Sequence, residues 1–177
     1  MMRDTITMGA RMKARMNLAA MVVGASLVAL ASPSAAGSWK YAETKSGNPE
    51  LKYIENGKAT FYIGCGRAFG LHVKYPGKPG EEEKPAAITI SNGKDSMSFK
   101  GEFEKPFEDM ATTFRQWDLG FERQDPDLYG EKWKAVRDQL LNLLDAGQPL
   151  TISADKDSYK LPPNHARKWR ASFDDCG

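Results

Sequence analysis

Cys65 lies between two glycines in YIGCGRAFGLHVKYPG, residues 62–77, and His72 follows seven residues later, in a chain with only two cysteines and two histidines. A thiol and an imidazole within hydrogen-bond reach would make an activated nucleophile. The spacing argues against that pairing. On one continuous strand, seven steps of about 3.3 Å separate the two by roughly 20 Å, and an odd separation points them to opposite faces. Bends or bulges at Gly64, Gly66 and Gly70 could undo this parity, and His165 is the other candidate base. The competing role for Cys65 is a crosslink to Cys176, the other cysteine. Such a bond closes a loop of about 110 residues, for which the chain-entropy model gives roughly 4 to 5 kcal/mol as an upper figure. It would tie the C-terminus to a central strand.

Which chemistry applies depends on the compartment. Arg11, Lys13 and Arg15 precede an uncharged, mostly apolar run from Met16 to about Ser32, the layout of a secretory signal peptide. The run falls short of the about 20 residues of a comfortable bilayer span, and Pro33 follows it instead of a positively charged stop. Ser34 and Ala36 fit the small-x-small cleavage rule, so residues 1–36 are expected to be removed and the mature chain to start at Gly37, leaving no stable membrane anchor. Translation could begin at Met1, Met2, Met8 or Met12. Export places the chain in the periplasm or outside the cell, where two cysteines pair. The catalytic reading of Cys65 thereby loses its thiol.

Residues 1–36 hold four of the 25 Lys and Arg and one of the 23 Asp and Glu, which leaves 21 basic and 22 acidic residues in the mature chain. A net charge of −1 provides no broad positive field for nucleic acid or anionic lipid. Six of the eight methionines also leave with the leader, so no methionine-rich copper site is expected. No Gly-rich phosphate loop, HExxH, CxxC or GxSxG is present. Two histidines far apart offer little for zinc. Asp125, Asp127 and Glu131 invite a calcium reading, but Tyr129 stands where a third oxygen ligand is wanted and no glutamate falls at the twelfth position. No metal and no cofactor is expected. Glu81, Glu82 and Glu83 read as a solvated loop tip within PGKPGEEEKP. The candidate binding surface is the sheet face carrying Tyr62, Arg67, His72 and Lys74, where cationic and aromatic groups occupy positions the core does not use.

The elements that must position these residues are mostly strands. Asn56-Gly57 separates two runs rich in aromatic and β-branched residues, the strongest short-range hairpin signal. Alternation puts Phe61, Ile63 and Cys65 on one face and Thr60 and Tyr62 on the other. A further strand follows, with Phe69, Leu71, Val73 and Tyr75 opposed to a more polar face holding His72, which is expected to be solvated. Asn92-Gly93 turns a strand containing Ile88 and Ile90 into one containing Met97, Phe99, Gly101 and Phe103, and ATTFRQWDLGF reads as another strand. From about residue 128 to 146 the period changes to helical, with Trp133, Val136, Leu140, Leu143 and Leu144 on one stripe and Gly147 and Pro149 as the stop. A last hairpin through Asp155 to Asp157 precedes a short helix capped by Asn164, with Trp169 and Phe173 on its buried side.

From Trp133 onward, the order of amphipathic helix, AGQPLTIS, hairpin, YKLPP, short helix and terminal cysteine resembles the ending of small exported bacterial proteins of uncertain function such as the invasion-associated locus B proteins. The resemblance covers about a quarter of the chain and carries over no catalytic residue. The sequence therefore predicts one disulfide-linked α+β domain over residues 37–177, mainly antiparallel β, either a sandwich or a curled sheet covered by the helix. The expected function is a non-catalytic periplasmic or secreted module that binds a protein or envelope component. The alternative is a periplasmic hydrolase whose acidic residues meet only in the fold.

Overall fold

The computed structural model describes residues 37–65, 69–117, 126–166 and 168–174. Residues 1–36, expected above to be a leader, and Arg67, Asp125 and Cys176 lie outside them. Nine strands form one antiparallel sheet: β1 (Ser38–Glu43), β2 (Pro49–Glu55), β3 (Lys58–Cys65), β4 (Phe69–Val73), β5 (Pro85–Ser91), β6 (Ser96–Phe103), β7 (Phe114–Trp117), β8 (Leu150–Ala154) and β9 (Asp157–Leu161). Their spatial order is β1-β2-β3-β4-β7-β6-β5-β8-β9. Among the described residues two helices accompany them, α1 (Pro126–Asp145) and α2 (Trp169–Ser172). Of the two sheet forms the sequence allowed, a sandwich and a curled sheet, the single continuous ladder is the second.

Curling is evident from what meets across the sheet. Trp39 in β1, at one end of the order, donates its indole N–H to the carbonyl of Pro162, just past β9 at the other end, at 2.9 Å. Tyr159 of β9 donates its hydroxyl to the carbonyl of Lys74, just past β4, at 2.7 Å. The enclosed face is apolar: Leu51, Phe61, Ile63, Leu71, Val73, Ile88, Ile90, Phe99, Phe114 and Ile152 belong to one buried cluster, and Leu140, Leu141, Leu143 and Leu144 of α1 pack into it. Trp169 and Phe173 close one end, Phe173 against Phe69 with ring centroids 6.2 Å apart.

Local signals account for the turns. Glu55 pairs with Lys58, leaving the two-residue loop Asn56-Gly57, and both residues have positive φ (51° and 78°) as a type I′ turn requires. The Asn92-Gly93 turn is longer than that device. Ser91 pairs with Ser96, so four residues connect β5 to β6, and Asn92 Oδ1 accepts hydrogen bonds from the amides of Lys94 and Asp95. Ile88 stands opposite Phe99 and Ile90 opposite Met97, the partners expected from alternation.

Two expectations need correction. Asn164 does not cap α2: the cap position is Lys168, left-handed at φ 59° and without a side-chain hydrogen bond, while Asn164 Oδ1 accepts from the amide of Ala166. The helix is one turn and starts later than the sequence suggested. His72 is not solvated either, since it is 3% exposed within a strand buried at all five positions.

At Gly101 in β6 the sheet leaves no room for a side chain. A Cβ there would stand 2.8 Å from Phe114 Cζ and closer still to the carbonyl oxygen of Arg115 in β7. Gly101→Ala is therefore expected to destabilise the fold by about 1–3 kcal/mol through overpacking, read as a lower urea midpoint at unchanged slope.

Candidate functional site

The face of the sheet opposite the core carries a row of side chains in register. Lys52 in β2 stands opposite Tyr62 in β3, Tyr62 opposite His72 in β4, His72 opposite Arg115 in β7, and Arg115 opposite Glu102 in β6. Their chain neighbours Leu51, Phe61, Ile63, Leu71, Val73 and Phe114 are core residues. Period-2 alternation on five strands thus assembles five polar or aromatic groups into one line.

Every charge in that line has a partner within the protein. Lys52 Nζ is 3.1 Å from Glu50 and lies over the Tyr62 ring, 5.4 Å from its centroid. The Tyr62 hydroxyl donates to the other oxygen of Glu50 at 3.2 Å. Gly64 makes this possible, because the Tyr62 ring lies across it and a Cβ there would collide with the phenol. Tyr62 packs against the edge of His72, with centroids 5.4 Å apart. Arg115 is bound to Glu102 through Nε at 2.7 Å and a terminal nitrogen at 2.6 Å.

The centre of the row is covered. His72 Nδ1 lies 3.0 and 3.1 Å from the two oxygens of Glu104, and the Thr112 hydroxyl donates to Glu104 at 2.6 Å. His72, Glu104 and Thr112 are all buried. With Glu104 accepting, Nδ1 carries the proton. Glu104 and Thr112 belong to the connection from β6 to β7, residues 104–113, which folds over the sheet instead of away from it. Backbone bonds hold it there. The chain after β4 leaves β3 beyond Lys74, whose amide still donates to the carbonyl of Thr60 at 2.7 Å, and the freed Ala59 of β3 donates to the carbonyl of Asp109 and accepts from the amide of Ala111, both at 2.8 Å. Met110, next to these anchors, is 4% exposed.

The same connection forms a turn in which the amide of Met110 donates to the carbonyl of Phe107 at 2.8 Å, with Glu108 at φ 47°. Phe107 is displayed at its tip and is the exposed large hydrophobic residue among those described, at 49%. Between turn and sheet lies a cleft of about 560 Å³, lined by Glu50, Lys52, Tyr62, His72 and Arg115 below and by Glu82 and residues 104–110 at the side. A Lys105–Glu82 pair at 2.6 Å links the rim to the PGKPGEEEKP loop.

Of the four residues predicted as a surface, Tyr62 and His72 share this cleft. Lys74 is exposed and lines a different hollow, of about 450 Å³, with Thr60, Tyr75 and Tyr159. Arg67 lies outside the described residues. Cys65 is separated from His72 by the reversal between β3 and β4: its register partner is Phe69, whereas Tyr62 faces His72. No described cysteine is a free thiol, and His165 is exposed. Among the described residues no group of three or more His, Cys, Asp or Glu is placed to hold a metal; the Asp125, Asp127 and Glu131 trio cannot be placed, because Asp125 is outside the described residues. The sequence reading missed Glu50, Lys52, Arg115, Glu104 and Phe107. Alternation carried from Tyr62 to the neighbouring strands would have found Lys52 and Arg115. EKPFEDM has no periodicity and offered no such signal.

No family model, curated protein or solved structure matches the chain.

Glu104→Ala removes the shared partner of His72 and Thr112. Each buried group left unsatisfied costs about 1–3 kcal/mol, so a total loss on the order of 2–4 kcal/mol is expected in urea unfolding, against about 1 kcal/mol for Thr112→Val. Burial, followed by the nearby Glu50 charge, raises the Tyr62 phenol above its ordinary value of 10.0, and burial and Glu55 do the same for Tyr159. A raised phenol contributes stability that is fully present below the unfolded value and is lost as pH climbs past it, because the unfolded chain releases its proton first. Stability should therefore fall above about pH 10, and the fall should be shallower in the double variant Tyr62→Phe/Tyr159→Phe, checked by unfolding at pH 9 to 11.

Proposed function

We propose that this chain is an exported, non-catalytic binding module whose partner, a protein or envelope component, sits in the cleft over Tyr62 and His72. The observation that carries this reading is Phe107, a large apolar side chain displayed on an anchored turn beside a floor whose charges are already paired. Aromatic anchors beside a polar rim are the usual form of an interaction hot spot. Residues 1–36 serve as the leader and residues 37–177 as one domain in the periplasm or outside the cell. Cys65 pairs with Cys176; in support, Cys65 is not a free thiol and its register partner Phe69 packs against Phe173, three residues before Cys176. The amphipathic α1 covers the curled sheet through its leucine stripe.

A second reading, a periplasmic hydrolase, draws support from the five carboxylates lining the cleft, Glu50, Glu82, Glu104, Glu108 and Asp109. Against it, three of the five are engaged with Lys52, Lys105 and His72. No Ser, Thr or Cys is among the described lining residues, and the Tyr62 phenol is held protonated by its raised affinity for the proton.

A photoreactive amino acid placed at Phe107 should give an adduct in the native cell envelope, while the same group at exposed Lys94, in the β5–β6 turn, should not. Equal capture at both positions, or none at Phe107, would remove the binding reading. Turnover of an ester, glycoside or peptide substrate that Glu104→Gln abolishes would install the hydrolase.

A further inference from the structure

We infer that the cleft takes a cationic side chain, the lysine or arginine of an extended peptide segment, with its aliphatic stem on Phe107 and its charged head toward Glu108 and Asp109; this rests on the cleft being the binding site proposed above. The lining carries five carboxylates against three cations, Lys52, Lys105 and Arg115. Those cations do not oppose an incoming positive charge at full strength, because each is within 3.1 Å of its own carboxylate, Glu50, Glu82 and Glu102 respectively. Glu104 is turned inward to His72 and Thr112. The surplus negative charge therefore resides on Glu108 and Asp109, both exposed and next to Phe107 in the chain.

A small inorganic cation is poorly served here, since no cluster of three ligating side chains forms among the described residues. A long amphipathic side chain uses both features at once, because lysine and arginine bury an apolar stem while their head stays at a charged rim. The floor already holds one ammonium in this manner: Lys52 Nζ sits between the Glu50 carboxylate and the face of Tyr62, a cation–π arrangement. The cleft volume of about 560 Å³ accommodates a side chain with its flanking backbone, within the about 300–1,000 Å³ of ordinary ligand pockets.

The experiment pans a displayed random peptide library against the mature, oxidised chain, then measures enriched peptides as synthetic probes by fluorescence anisotropy. The expected result is enrichment of lysine or arginine, binding that weakens as salt rises, and at least a ~10-fold loss of affinity in both Phe107→Ser and Glu108→Lys/Asp109→Lys. All three positions are exposed, and unchanged unfolding midpoints show that the variants fold. Enrichment of acidic or uncharged peptides that still depends on Phe107 overturns the cationic class and leaves the cleft as a binding site. Absence of any Phe107-dependent enrichment overturns both.

Discussion

The hydrogen bonding of His72 to Glu104 is the constraint on which the second face of this sheet depends. β4 sits in the middle of the ladder, and its odd-numbered residues Phe69, Leu71 and Val73 go to the core. Parity then sends His72 to the other side, where it is nonetheless buried. A buried polar ring needs a partner, and Glu104 supplies it: it follows β6 directly, two residues past Glu102 on the same side, with its amide bonded to the carbonyl of Thr113 at 3.1 Å. The residues that join Glu104 to Thr112 then fold back, and Asp109 and Ala111 complete the edge of β3 beyond the last bond that the chain after β4 makes to it, from the amide of Lys74 to the carbonyl of Thr60. The position of Phe107 is a by-product of that path. What looks like a loop decorating the surface is the element that makes burial of His72 tolerable.

This dependence also explains what could and could not be seen in the sequence. Hairpins set by Asn56-Gly57, the alternation of Phe61 with Tyr62 and of Met97 with Ser98, and the leucine spacing of α1 are local rules, and local rules leave local traces. The burial of His72 depends on Glu104, 32 residues away just past β6, a strand that reaches β4 only across β7. β1 escaped notice for a related reason. Its residues are mostly exposed at an edge, and besides its ladder to β2 it is held by side-chain contacts: Trp39 on Tyr53, Phe61 and Pro162, and Tyr41 on Ser172 of α2. None of these partners is near it in sequence. Asn164 was misread because an asparagine before a helical run is a common cap, whereas here its side chain closes a turn ahead of Lys168.

The curl has a second consequence, at the edges. An open sheet offers unpaired backbone groups at both ends, which invites association. Bringing β1 and the end of β9 within one hydrogen bond of each other, through Trp39 and Pro162, narrows the gap between those edges. The crosslink proposed between Cys65 and Cys176 would act from the end of β3, where Cys65 stands opposite Phe69 and Phe69 meets Phe173. Its effect would be to hold the α2 segment in place, because a helix of one turn has little stability of its own and relies on Trp169 and Phe173 for burial.

The ion pairs of the cleft are better understood as field-setting than as stabilising. Lys52–Glu50, Arg115–Glu102 and Lys105–Glu82 all retain solvent exposure, and pairs of that kind contribute about 0–1 kcal/mol each. What they do is cancel the cations closest to the floor, so that the uncancelled charge is negative and concentrated at the turn. Tyr62 is held in its protonated form by burial and by Glu50, and His72 has its Nδ1 committed to Glu104. In the binding reading proposed above, paired charges at the floor and Phe107 displayed on an anchored turn leave the sign of the charge at Glu108 and Asp109 as the property that would select the partner.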